Sequence, residues 1–195
     1  MSDYPDPMPL DEARALFFRL SGLGDDGGYG ARWVRVESKP IPFFFPNTWA
    51  RVAAARLHDL HHVATGYAAD WPGEAEIAAW EIASGCGRHL WAWLLNLGAF
   101  TVGMALVPRR LFRAFVRGRH SRNLYREGFA DARLGHVTVG ALRKRLGLAA
   151  PPPPAHTGDV LAFAAWCAAG LAWHGLFAAA GLLLAWLLLR PLAAP

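Results

Sequence analysis

The sequence predicts an all-α protein: a helical domain built around a metal-ligand helix pair, followed by a carboxy-terminal apolar helix. Three observations lead there. Hydrophobic residues fill 54% of the 195 positions, and Ala, Leu and Trp dominate the excess, which favours helices over strands. Helix start and stop signals recur along the chain, with Pro and Gly separating the apolar stretches. Finally, Val160–Leu189 runs for thirty residues without one charged side chain. The length suits one domain of ordinary size plus an appendage. The expected organisation is a helical metal- and lipid-binding domain over residues 1–150, a Pro-rich linker at 151–158 and a transmembrane segment at 159–190.

Residues 1–10 are Pro-rich and are expected to lack fixed structure, after which "LDEARALFFRL" (10–20) reads as a helix with acids in its first turn. "GLGDDGGYG" (22–30) ends it as a flexible turn region. "ARWVRVESKPIPFFFPN" (31–47) alternates only briefly and holds three prolines, so an extended connector is expected, with Phe43, Phe44 and Phe45 covering a core surface or, as the alternative, entering the membrane interface. Thr48 or Asn47 caps a helix from Trp49 to about Thr65, which Gly66 stops. Pro72 opens the next helix, which ends near Gly85.

The apolar run Leu90–Val107 is bordered by arginines; its length is at the lower limit for a span, and Asn96 with its glycines favours a buried core helix. "RRLFRAFVRGRHSR" (109–122) alternates arginines with apolar residues, a basic amphipathic helix suited to anionic lipid through Arg109, Arg110, Arg113 and Arg117. "VGALRKRLGL" (139–148) reads as a last helix of the domain, and "PPPP" (151–154) as a stiff spacer. A helix over the thirty charge-free residues is about 45 Å long against a hydrocarbon layer of roughly 30 Å, so a single tilted or kinked span is expected.

The formal charge of +5 would suit anionic lipid, nucleic acid or an acidic substrate. Because the arginines lie among apolar residues, membrane lipid is the expected partner and nucleic acid is not. Two cysteines far apart suggest neither a disulfide framework nor a zinc knuckle. Acids and prolines occupy the amino terminus where a secretory signal needs cations and an apolar run, and basic residues precede the span. Both point to a domain at the cytoplasmic face of a membrane, held by a carboxy-terminal anchor.

The chemistry is concentrated in "HDLHHVATGYAADWPGE" (58–74). On a helix His58 and His62 lie about 40° apart on one face, while Asp59 is about 100° from His58 and about 60° from His62, so all three can converge. His61 fits less well. Glu74 arrives from the start of the next helix, giving four ligands from two helices. Imidazole nitrogens and carboxylate oxygens form the ligand set shared by zinc, iron and manganese. "HDLHH" also satisfies the HxxHH box of membrane desaturases, which need further histidine boxes that the isolated remaining histidines do not supply. Metal-dependent phosphohydrolases of the "HD" type need a histidine upstream, and none precedes His58.

His58, Asp59, His62 and Glu74, as H-D-x-x-H followed by eleven residues and E, resemble the zinc-ligand motif of the ubiquinone biosynthesis protein 4 family, the Coq-four proteins. The likeness extends through "GEAEIAAWE" and "NLYREGFADARLGHVTVGALRKRLGL", covering about half the chain, roughly Thr48 to Leu148. The resemblance implies an all-helical, membrane-associated protein that holds an isoprenoid tail in an apolar cavity and presents its aromatic headgroup to the metal. It implies that His58, Asp59, His62 and Glu74 bind the ion, with His58 and Asp59 also at the reacting centre. The implied activity is a metal-dependent carboxy-lyase reaction, an oxidative decarboxylation at ring carbon 1 of a polyprenylated aromatic acid. Zinc is the expected ion and ferrous iron the alternative, because zinc cannot cycle redox states. Other quinone-biosynthesis proteins are the implied partners, and a non-catalytic lipid-binding scaffold that organises them is the alternative role. The charge-free carboxy-terminal run departs from the family pattern: a permanent anchor would replace peripheral association.

Overall fold

The computed structural model describes residues 4–36 and 42–190, as two compact units, Met1–Pro154 and Ala155–Pro195. As expected, it is mostly helical. In the described part of the first unit, α1 (Leu10–Ser21) leads into a hairpin of β1 (Trp33–Val36) and β2 (Phe43–Pro46). Then come α2 (Trp49–Thr65), α3 (Trp71–Ser84), α4 (Leu90–Leu106), α5 (Pro108–Arg119), the one-turn α6 (Leu124–Glu127), a 3-10 turn at Asp131–His136 and α7 (Val139–Leu146).

Local chemistry sets the ends of the two site helices. The Thr48 hydroxyl accepts the Arg51 amide at 3.2 Å and starts α2, and Gly66 ends it in the left-handed region at φ 76°. The Asp70 carboxylate takes the Gly73 amide at 2.8 Å and caps α3, with Pro72 in the first turn where its missing N–H costs nothing.

α3 packs most extensively against α4 and α5, and α1 and α7 lie on α2. Leu60, Ile77, Trp80, Phe100, Leu111, Phe115 and Leu142 are fully buried between these helices. Two glycines let the backbones meet. A Cβ at Gly118 would lie 2.4 Å from the Trp80 carbonyl oxygen, and one at Gly103 only 2.6 Å from the Ala75 methyl. α4 buries a narrow stripe of Ala92, Asn96, Phe100 and Gly103 at spacings of four, four and three, so it is a core helix along one face only.

Two segments differ from the sequence expectation. The described part of the amino terminus is ordered against α7: Tyr4 is buried, and the amides of Val139 and Gly140 donate to the carbonyls of Met8 and Asp6 at 2.9 Å each. Proline restricts this stretch before folding, so ordering it loses little chain entropy. The expected connector at 31–47 pairs with itself: Trp33 opposes Pro46, Val34 opposes Phe45, Arg35 opposes Phe44 and Val36 opposes Phe43. Phe45 stacks on Trp91 with ring centroids 5.4 Å apart, so the hairpin's inner face rests on α4.

The second unit holds one uninterrupted helix, α8 (Thr157–Leu189), of 33 residues. A capping box opens it: the His156 ring accepts the Gly158 amide, and Asp159 accepts the His156 amide at 3.1 Å. It runs unbroken through Gly170 and Gly175, with the His174 Nδ1–H donated to the Gly170 carbonyl at 3.0 Å. The helix is long and apolar enough to cross a membrane.

Candidate metal centre

α2 and α3 bring three of the four expected ligands together. His58 and His62, one turn apart, both direct Nε2 toward the Glu74 carboxylate at the start of α3. The two Nε2 atoms are 3.0 Å apart, His62 Nε2 is 3.4 Å from Glu74 Oε1, and His58 Nε2 is 3.5 Å from Glu74 Oε2. A tetrahedral ion with bonds of about 2.0–2.1 Å needs donor atoms roughly 3.3 Å apart. The spacing fits.

The far nitrogens decide what these atoms can do. His62 Nδ1–H donates to the Tyr67 carbonyl at 3.0 Å, and His58 Nδ1–H donates to Glu81 Oε1 at 2.9 Å. Both acceptors take protons only, so each ring carries its hydrogen on Nδ1 and turns an Nε2 lone pair inward. Two lone pairs and a carboxylate facing one small volume repel one another unless a cation or a proton lies between them. Phe17 stacks on the His62 ring at 5.0 Å and 19°, closing that side, and a cleft lined by Phe17, Leu20, Ala68 and Asp70 lies next to it.

Glu81 is the residue that sequence reasoning missed. It is fully buried on α3, seven positions after Glu74 and so about 20° from it around the helix. Its Oε1 also accepts the Nδ1–H of His61 at 2.6 Å, and its Oε2 accepts the Asn96 amide at 2.5 Å. His61 Nε2 accepts the backbone N–H of Leu124 at 2.9 Å, which fixes that ring as the neutral Nδ1–H tautomer. His61 thus serves the support of the site. The available signal was one acid inside the apolar "IAAWEIAS", matched by the single amide of α4.

The electrostatics follow this wiring. Burial alone would raise the Glu81 carboxyl, but His58 and His61 outweigh it and hold the group well below the usual carboxylate range. Glu74 behaves alike: burial opposes the charge, and His62 with His58 restores it. Burial disfavours charge on His58 too, yet Glu81 and Glu74 push its basicity well above the ordinary value, so without an ion its Nε2 holds a proton, whose place a cation at the centre would take. His61 is pushed down by burial, in keeping with its neutral form.

Asp59 lies outside the group of three whose donor atoms all fall within 4.8 Å of one another. Its buried carboxylate accepts the hydroxyl of Tyr29, from the glycine-rich turn region. Burial raises the Asp59 carboxyl, and burial together with Asp59 raises the Tyr29 phenol, so the phenol stays a neutral donor. Of the four arginines expected at lipid, Arg109, Arg110 and Arg113 are exposed on α5. Arg110 pairs with Glu76, while Arg117 donates to the Thr65 carbonyl at 2.9 Å and lies over the Tyr67 ring. No family model matches this chain, and neither a curated protein nor a solved structure is significantly similar to it.

Proposed function

We propose that this chain is a metal-dependent enzyme of ubiquinone biosynthesis, acting on a polyprenylated aromatic acid at the cytoplasmic membrane face and promoting oxidative decarboxylation at ring carbon 1. The observation that carries the reading is the convergence of two oriented imidazole lone pairs and one carboxylate, within the motif that resembles the Coq-four family. Bound there, a divalent ion supplies Lewis-acid polarisation of the substrate's carboxylate or phenolate.

The chain's own residues do the holding. His58 and His62 provide neutral nitrogen donors, Glu74 provides charge, and Glu81 with the Tyr67 carbonyl keeps both rings from turning. Partial exposure of Glu74 leaves one side of the centre open to a ligand. In the reaction the bond from ring carbon to carboxylate breaks, carbon dioxide leaves and the electron pair stays on the ring. In net terms the acid, dioxygen and water give the ring phenol, carbon dioxide and hydrogen peroxide, so dioxygen takes the two electrons that the ring carbon loses. α8 keeps the domain at the bilayer that dissolves the polyprenyl tail.

The test is genetic and analytical together. In a host lacking its own such protein, the full chain restores quinone production, and His62→Ala and Glu74→Ala do not, although both remain folded and in the membrane fraction. Elemental analysis of protein purified without chelators gives about one zinc or iron per chain. Restored quinone production by both variants, or an ion-free wild-type protein, overturns the reading.

A further inference from the structure

We infer that the outer face of the β1–β2 hairpin, with Trp49 beside it, is a docking site for the headgroup region of an anionic bilayer. The inference rests on the reading that α8 spans that bilayer. In an antiparallel ladder, directly paired residues share a face and successive residues alternate. Val34 and Phe45 therefore share the inner face, which rests on Trp91 of α4. Trp33, Arg35, Phe44 and Pro46 share the outer one.

A hairpin face turned to water is ordinarily polar. This one is not: Trp33 is 60% exposed and Phe44 57%, as diagonal neighbours across the ladder. Trp49, three residues beyond Pro46 in the first turn of α2, is 84% exposed. The fold does not need these rings, since the hairpin is held through Phe45 and by the Asn47 side-chain amide, which donates to the carbonyls of Gly28, Tyr29 and Ala31.

Two observations choose lipid as the occupant. Indole couples an apolar body to one N–H donor and is enriched where hydrocarbon meets headgroups, and Phe and Arg accompany it in elements that lie in that interface. The hairpin carries Arg35, whose guanidinium lies over the Phe44 ring at 5.8 Å, with exposed Arg32 just before it; in the sequence between the strands Glu37 is offset by Lys39, so the segment is net cationic. Cations beside exposed aromatic rings match anionic headgroups. Connectivity adds a third argument: a chain anchored by α8 meets a bilayer at high effective concentration, so a modest patch suffices.

The experiment uses the full chain carrying Cys167→Ser; Cys86 is buried, and burial raises its thiol, which keeps it unreactive. Nitroxide labels placed through Phe44→Cys, Trp49→Cys, Asp25→Cys and Leu176→Cys are read in nanodiscs of phosphatidylglycerol and phosphatidylcholine. The readout is the collision rate with oxygen relative to that with a water-soluble nickel chelate. The expected ratios at 44 and 49 exceed that at 25 several-fold, with 176 higher still. An Arg32→Glu, Arg35→Glu double variant lowers the ratio at 49 without lowering the melting temperature. Ratios at 44 and 49 equal to that at 25, with 176 in hydrocarbon, sink the docking site and leave the span standing. A water-like ratio at 176 removes the span and this inference with it. Spin–spin broadening at 44 that disappears in discs holding one copy assigns the face to a second copy and overturns the lipid assignment.

Discussion

His58 and His61, three residues apart on α2, give their Nδ1 protons to the same oxygen of Glu81, at 2.9 and 2.6 Å. The two rings then diverge. His61 spends its second nitrogen on the Leu124 amide, whereas His58 keeps Nε2 for the centre beside His62 and Glu74. One carboxylate therefore orients a ligand and anchors it to the start of α6.

Glu81→Gln is expected to keep the shape of this anchor and lose its charge. Support of this kind around a metal-binding imidazole typically accounts for 10–100-fold in affinity. Competition against a coloured chelator should show a loss of about that size for zinc, while Glu81→Ala, which strands two rings and the Asn96 amide, costs about 3–5 kcal/mol in urea unfolding. Wild-type zinc affinity in Glu81→Gln would contradict the positioning role.

Ion removal should lower stability through mass action. A ligand that binds only the folded state contributes about 2.7 kcal/mol at 100 times its dissociation constant. Scanning calorimetry of chelator-treated protein should show a lower melting temperature, restored by one equivalent of zinc, and the same treatment should leave His62→Ala unmoved. A melting temperature indifferent to chelator counts against the centre.

Asp59→Asn is expected to retain near-stoichiometric metal where His62→Ala and Glu74→Ala lose it, because the Asp59 carboxylate serves Tyr29 and stands outside the converging atoms. Tyr29→Phe should retain metal as well, with about 1.5–3 kcal/mol lost from a buried charge-assisted hydrogen bond. Elemental analysis decides the first point and denaturant titration the second. Metal lost from Asp59→Asn but kept in Tyr29→Phe would place Asp59 among the ligands.

Gly118→Ala tests the closest helix approach. Its Cβ would meet the Trp80 carbonyl at 2.4 Å, backbone that cannot give way cheaply. Overpacking of this kind typically costs 1–3 kcal/mol. A matching fall in the urea midpoint is expected, and an unchanged midpoint would show that α3 and α5 sit further apart.

What the sequence made legible were features with local causes. Thr48, Gly66 and Pro72 mark helix ends by their own backbone chemistry, and the four-residue spacing of His58 and His62 follows from one helical turn. Asp59 satisfies the same angular argument, but its partner is Tyr29, thirty residues away in a glycine-rich turn whose path no periodicity encodes. Glu81 looked like an acid in an apolar helix until α4 brought Asn96 to it and α2 brought two rings. The amino terminus was opaque for a similar reason: Arg143 donates to the Tyr4 carbonyl from 139 positions further on.

A helix rises about 1.5 Å per residue, half the length of the hydrogen bonds that meet at Glu81. Slippage of α2 along α3 by a single position would therefore break the grip on His58 and His61 together, and misalign Glu74 in the same stroke. The two helices share one register, and thermal melting of either should be inseparable from loss of the other.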